Sequence, residues 1–160
     1  MSARASQTIS TVNSLTLTLQ QLTASTIADV MALESKAHTH PWRLSSFEDC
    51  LKGRQQCWLA YVDDRLVGYI VFAHGGGDAE ILNIVVAKEF QRRGIASCLI
   101  EYAVNSLKEH AQMLFLEVRV SNHKAIELYA KEGFFGVGQR KNYYPTANGH
   151  EDALLMARQL

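Results

Sequence analysis

Gln91-Arg92-Arg93-Gly94-Ile95-Ala96 joins two apolar stretches, EILNIVVAKEF at 80–90 and SCLIEYAVNSLKEHA at 97–111. The first carries the aliphatic run of a buried strand. The second repeats its apolar residues at the three-and-four spacing of an amphipathic helix, so the six residues between them open a helix directly after a strand. A helix N-terminus presents backbone N–H groups without intrahelical acceptors at the positive end of its dipole, an arrangement that favours phosphate. Gly94 has no Cβ and lets the backbone approach a ligand or turn left-handed. Arg92 and Arg93 add charge that can pair with diphosphate. Arginine and glycine are common in loops, and the letters alone leave a solvated turn open beside the anion cradle. The placement after a strand and before a helix is what the cradle requires.

Outward from that junction the chain keeps alternating between the two periods. LTLTL at 15–19 alternates as a half-buried strand, and ASTIADVMALESKAH then places Ile27, Val30, Met31 and Glu34 at helical steps. Pro41 interrupts the pattern, and SSFEDCLK reads as a second helix capped by Ser45 or Ser46. Three strands follow, CWLAYVD, DRLVGYIVFAH and AEILNIVVA, turning at Asp63-Asp64 and at the glycines 75–77. After the helix beyond the junction come a strand MLFLEVRV, a helix NHKAIELYAKEG between Asn122 as N-cap and Gly133 as C-terminal stop, and two last strands separated by PTANGHE. The order β-α-α-β-β-β-α-β-α-β-β predicts an α/β (α+β mixed) fold, a mostly antiparallel sheet with about four helices.

At 160 residues the chain has the length of one domain, expected over 15–160 after a Ser/Thr-rich flexible leader at 1–14. With 48% hydrophobic and 20% charged residues it has a globular composition, and it contains no apolar run long enough to span a bilayer. Lysine plus arginine equals aspartate plus glutamate at 16 each, so no overall positive field recommends nucleic acid as a partner. Cys50, Cys57 and Cys98 are odd in number and form no C-x-x-C pair, which argues against a disulfide framework and for a reducing, cytoplasmic setting. His38 and His40 lack a third nearby ligand, and no metal is implied.

Glu117 lies in LFLEVRV, where Leu114, Leu116, Val118 and Val120 alternate with Phe115, Glu117 and Arg119. A carboxylate in mid-strand either pairs with Arg119 or another neighbour, or faces a wet cleft. Tyr129 falls at i+3 from Ile126 and i+4 from Ala125, a position any core aromatic can fill. His40-Pro41-Trp42 and Tyr143-Tyr144-Pro145 read either as packing turns or as walls for an acceptor. Cys98 shares a helical face with Tyr102 and reads as packing, not as a nucleophile.

NIVVAKEFQRRGIASCLIEYA resembles the acetyl-CoA-binding motif of the GNAT family of N-acetyltransferases, with QRRGIA in place of the usual Q/R-x-x-G-x-G/A. The likeness runs from about Leu15 to the C-terminus. LEVRVSNHKAIELYAKEGF, HPW and RKNYYPTANGHEDALLM further resemble the RimI subfamily, the ribosomal-protein-alanine N-acetyltransferases. The chain departs from the family pattern at Ala96, where many members have glycine, and at Lys88, where proline is frequent.

The resemblance implies a GNAT-like fold and acetyl transfer from acetyl-CoA to a protein N-terminal amine, the alanine of small-subunit ribosomal protein 18 being the expected acceptor. It implies main-chain contacts from Ile84, Val85 and Val86 to the acetyl-pantetheine arm, a pyrophosphate site at Arg92, Arg93, Gly94, Ile95, Ala96 and Ser97, and a cofactor contact from Asn122. It makes Glu117 the proton acceptor, directly or through water, and Tyr129 the proton donor to the leaving thiolate. It favours Pro41, Trp42, Tyr143 and Tyr144 as acceptor walls. Lysine, polyamine or other N-terminal acceptors, or a non-catalytic acyl-CoA-binding module, would share the fold and the loop.

Overall fold

Tight turns set the strand pairing. Asp63 and Asp64 both take left-handed φ, 48° and 63°, between β3 (Gln56–Val62) and β4 (Arg65–Gly75). Gly76 and Gly77, at 63° and 88°, do the same between β4 and β5 (Asp78–Val86). Two successive positive φ values match the twist of a two-residue hairpin, which is why Asp-Asp and Gly-Gly stand there. The computed structural model describes residues 14–160 and, for the backbone alone, 6–12.

The chain divides into two compact units, one formed by the residues up to Ala73 with Asn83–Ala103, the other by His74–Leu82 with Val104–Leu160. In the first, β1 (Ser6–Val12), β2 (Leu15–Gln21), β3, β4 and the end of β5 are neighbours in that order. The β1–β2, β2–β3 and β3–β4 pairs are antiparallel. The same unit holds α1 (Ile27–Ala37), α2 (Leu44–Leu51) and most of α3 (Ile95–Leu107). Its buried residues include Leu17, Leu19, Val30, Phe47, Leu59, Ile70, Phe72, Leu99 and Ile100.

In the second unit the start of β5 pairs in parallel with β6 (Met113–Arg119), at Asp78↔Met113, Ala79↔Leu114 and Glu80↔Phe115. β8 (Gly149–Gln159) runs antiparallel to β6 and to β7 (Phe135–Thr146), giving the order β5-β6-β8-β7. α4 (His123–Lys131) belongs here as well. Along β6, Leu114, Leu116 and Val118 are buried while Phe115, Glu117 and Arg119 on the other face are half-buried, the alternation that a period of two predicts. The sheet is therefore mixed and mostly antiparallel, with four α-helices among the described residues, as the sequence pattern predicts. Among the described residues, no helix is long and apolar enough to cross a membrane.

Gly68 explains how β4 meets β5. A Cβ added there would sit 2.6 Å from the Val85 carbonyl oxygen, so any side chain would push β5 away.

Two local expectations change. Within the stretch expected as a leader, Ser6–Val12 forms β1 on the edge of β2, while residues 1–5 and 13 lie outside the described residues. The predicted serine cap of α2 is absent: the helix starts at Leu44 after an extended Arg43, with no side-chain cap, and Ser45 and Ser46 lie inside its first turn. Burial of Phe47, 0% exposed, turns this short helix inward from its first turn, and that packing outweighs the preference of serine for a cap.

Candidate functional site

The junction that opened the sequence reading folds as its letters suggest. β5 ends at Val86, a single 3₁₀ turn covers Lys88–Phe90, and α3 begins at Ile95. Arg92 (φ 63°) and Gly94 (φ 81°) are both left-handed, a conformation that comes cheaply to glycine and costs arginine energy. The Gly94 carbonyl accepts the Cys98 N–H at 3.1 Å, the first helical bond, so the N–H groups of Ile95, Ala96 and Ser97 belong to the unbonded first turn. The Arg93 guanidinium carbon lies 5.3 Å from the Phe90 ring centre, a cation–π contact beside that turn. The loop thus gathers two cations and a helix N-terminus, the donor set a diphosphate needs.

Upstream, the Val85 side chain is buried and those of Ile84 and Val86 are half-buried. The main chain at this end of β5 is tied to β4 through Ala87 N–H, which donates to Val67 O at 2.7 Å. Gln91 Nε2 donates to Val86 O at 3.2 Å, a bond that anchors the start of the junction to the end of the strand.

In the second unit Glu117 forms an ion pair across β8. Its Oε1 lies 2.9 Å from Arg140 Nε on β7, with the glutamate side chain 11% exposed and the arginine 59%. Of the alternatives the sequence left open, Arg119 is engaged elsewhere: it donates to Glu151 Oε1 at 2.9 Å and to Pro145 O at 3.0 Å, and lies 4.6 Å from the Tyr144 ring centre. Those bonds hold the Tyr144-Pro145 segment. Bonds from Ser121 and Arg119 in turn lower the Glu151 carboxyl.

The register of β7 on β8 slips between Arg140 and Tyr144, where Asn142 turns left-handed (φ 53°) and its N–H donates to Asp152 Oδ1 at 3.0 Å. This bulge aims Tyr143 at Glu117. Burial, then a hydrogen bond to Glu117 and the charge of that carboxylate, raise the Tyr143 phenol. Burial and the Glu117 charge push Tyr144 up to about 12. Glu80 on β5 feels the same carboxylate, its pKa raised by burial and then by the Glu117 charge. Around Glu117 therefore stand a guanidinium, two phenols and a second carboxylate.

Tyr129 is buried, 8% exposed, with its ring edge-on to Phe134 at 5.9 Å. Burial pushes its phenol up to about 12, and its field reaches Tyr144, which also feels Glu117. Asn122 caps α4: its Oδ1 accepts the Ala125 N–H at 3.2 Å. The structural role that sequence assigned to it is thus realised through one side-chain atom.

Pro41 and Trp42 lie in the first unit, where Trp42 packs on Phe47 with ring centres 5.4 Å apart. Its backbone N–H donates to Glu34 Oε2 at 3.1 Å. His38 bonds the other oxygen of Glu34 through Nδ1, so its imidazole belongs to this buried carboxylate.

Of the predicted residues, Ile84–Val86 lie next to Arg92–Ser97 along the chain and Pro41 next to Trp42, while Glu117 acts on Tyr143 and Tyr144, and Tyr129 on Tyr144; Asn122 caps α4 in the same unit as these. Sequence reasoning passed over Glu34, Glu80, Asn83 and Arg140. Glu34 alone left a signal, a carboxylate on the apolar stripe of its helix.

The model of the acetyltransferase (GNAT) family matches residues 24–134. A [ribosomal protein bS18]-alanine N-acetyltransferase of Salmonella typhimurium is 36% identical over 141 residues, 88% of this chain and 95% of the relative. An N-alpha-acetyltransferase of Saccharolobus solfataricus is 41% identical over 117 residues, 64% of this chain and 68% of the relative. Among solved structures, the ribosomal-protein-S18-alanine N-acetyltransferase of Escherichia coli aligns with a TM-score of 0.82 at 30% identity, covering 89% of this chain and 93% of that one.

Proposed function

The chain belongs to the acetyltransferase (GNAT) family, and from that premise we propose that it moves acetyl from acetyl-CoA to a protein N-terminal amine, the alanine of small-subunit ribosomal protein 18 first among acceptors. The observation that carries this reading is the junction, where β5 passes through left-handed Arg92 and Gly94 into the first turn of α3. Its N–H groups and guanidinium groups suit the diphosphate of coenzyme A. Main-chain groups of Ile84–Val86 take the acetyl-pantetheine arm, and Asn122 adds a contact from the side-chain atoms its cap leaves available. One family model runs through both compact units, which supports taking 15–160 as one catalytic domain.

The chemistry is direct transfer. An α-amine has a reference pKa of about 8 against about 10.4 for lysine, so more of it is neutral near pH 7. The neutral amine attacks the thioester carbonyl carbon, the C–N bond forms and the C–S bond breaks. Glu117 takes the amine proton, directly or through water, and the Tyr129 phenol gives one to the departing thiolate. A phenol held near 12 stays protonated through the working range, ready for that donation. Pro41, Trp42, Tyr143 and Tyr144 wall the acceptor peptide. The reaction needs no cysteine intermediate, and a cytoplasmic setting suits three free thiols.

The test is mass spectrometry of a synthetic peptide with N-terminal alanine incubated with acetyl-CoA, beside a copy blocked at its α-amine and bearing a free lysine. Acetylation of the free N-terminus alone is expected. Lysine labelling would transfer the activity to another acceptor class, and absence of both labelling and coenzyme A binding would remove the reading.

A further inference from the structure

The mechanism above leaves a fully buried carboxylate without a task. Glu34 on α1 is 0% exposed, and a charge there is costly unless its lone pairs are used. They are used. Nδ1 of His38 bonds Oε1, the Trp42 N–H donates to Oε2 at 3.1 Å, and Asn83 Nδ2 donates to Oε2 at 3.0 Å. The Tyr69 hydroxyl also bonds the carboxylate and accepts from Asn83 at 3.1 Å. Burial works to raise this carboxyl, but the bonds from His38 and the Trp42 amide outweigh it and hold the group below its ordinary range.

These donors come from different elements. His38 ends α1, Trp42 lies between α1 and α2, Tyr69 stands on β4, and Asn83 on β5 immediately precedes Ile84. The Trp42 ring rests on Phe47, and Phe47 on Tyr69 with ring centres 5.9 Å apart. The ring contacts set where the indole lies, while the Glu34 bond fixes the backbone that carries it.

We propose that Glu34 is a positioning residue whose carboxylate ties the backbone of Trp42 to β5 through Asn83, holding the Pro41-Trp42 segment as a fixed wall for the acceptor peptide. This rests on the reading of Pro41 and Trp42 as acceptor walls. Glutamine in place of Glu34 keeps the shape but removes the charge: whether its NH₂ turns to His38, whose ring nitrogen must then accept, or to Trp42, the bond to the Trp42 N–H is either made to a neutral oxygen or lost, so the tie weakens. A carboxylate that merely stabilised the fold would change stability and leave peptide affinity alone.

The experiment uses the full chain with Trp58→Phe, so that Trp42 is the single tryptophan. Acrylamide quenching of its fluorescence is compared with and without Glu34→Gln, together with KM for the alanine-terminated peptide and for acetyl-CoA. Quenching is expected to rise. Peptide KM is expected to rise on the order of tenfold, the scale of one hydrogen bond to a charged group. The KM for acetyl-CoA and kcat at saturating peptide stay unchanged. Unaltered quenching and peptide KM in a folded Glu34→Gln protein would overturn the proposal. Should that variant not fold, Asn83→Ala, which removes one donor and leaves the Trp42 N–H in place, is expected to shift both readouts in the same direction by less, and unchanged values there would overturn it equally. A parent protein that acetylates no N-terminal peptide would defeat the acetyl-transfer reading instead, and the quenching arm would still decide the role of Glu34.

Discussion

The junction that opens α3 and the surroundings of Glu117 are built in opposite ways. Arg92, Arg93 and Gly94 draw their conformation and contacts from the same short segment, Phe90 beneath Arg93 and Cys98 bonded to Gly94. Glu117 stands on β6 and takes its partners from β7, Arg140 and Tyr143, with β8 lying between. Local geometry is enough to gather N–H groups and cations where a strand feeds a helix. The surroundings of Glu117 need several strands in register, because its guanidinium and phenol partners lie far from it along the chain.

That contrast predicts variants that separate binding from chemistry. The largest effect belongs to Glu117→Gln, expected to lower kcat by about 10²–10⁴ while acetyl-CoA still binds. Calorimetric titration beside a single-turnover acetylation assay checks it, and a parallel loss of binding would merge the two regions. Tyr129→Phe follows with the same signature and a smaller loss. The junction behaves in the reverse sense: Arg92→Ala and Arg93→Ala together raise the acetyl-CoA Kd by roughly tenfold or more and spare kcat at saturation. Salt should weaken acetyl-CoA binding by the parent protein more than by this double variant, because screening acts on the arginines.

Gly68→Ala tests whether the strand pair, apart from any charged group, supports the junction. Its Cβ would collide with the Val85 carbonyl, and a stability loss of about 1–3 kcal/mol is expected in urea unfolding, together with weaker acetyl-CoA binding as β5 shifts.

The last effect is alkaline and shows only far above neutral pH. The Tyr129 phenol is raised to about 12 in the folded state against an unfolded value of about 10. A raised folded pKa means that its stabilisation is complete below about pH 10 and is lost as pH climbs through about 12, on the order of 2 kcal/mol for this buried group. Denaturation curves should show Tyr129→Phe losing less stability over that window than the parent protein.

Much of the fold was legible because periodicity and turn chemistry are local. Hairpin turns at Asp63-Asp64 and Gly76-Gly77, the Asn122 cap and the β6 alternation all follow from neighbouring residues. Where long-range packing competed, the local rule lost. Ser45 and Ser46 gave way to the burial of Phe47. Ser6–Val12 is a different case, since it pairs with the next strand, β2, a short-range contact that its Ser/Thr-rich composition did not signal. The sequence left the partner of Glu117 open between Arg119, another neighbour and a wet cleft; side chains two apart on one strand share a face, but β7, beyond β8, supplies the cation, Arg140.

By itself the sequence determined the mixed α/β order and the passage from strand to helix at the junction, and it named candidate residues for anion binding and acetyl transfer, since spacing along the chain fixes which groups open a helix or share a strand face. Only the tertiary structure decided what those groups touch. The bulge at Asn142 turned Tyr143 onto Glu117, Arg140 reached over β8 to pair with it, and Glu34 collected donors from α1, the Trp42 segment, β4 and β5. Such contacts depend on strand register and burial, which arise only when distant segments pack together.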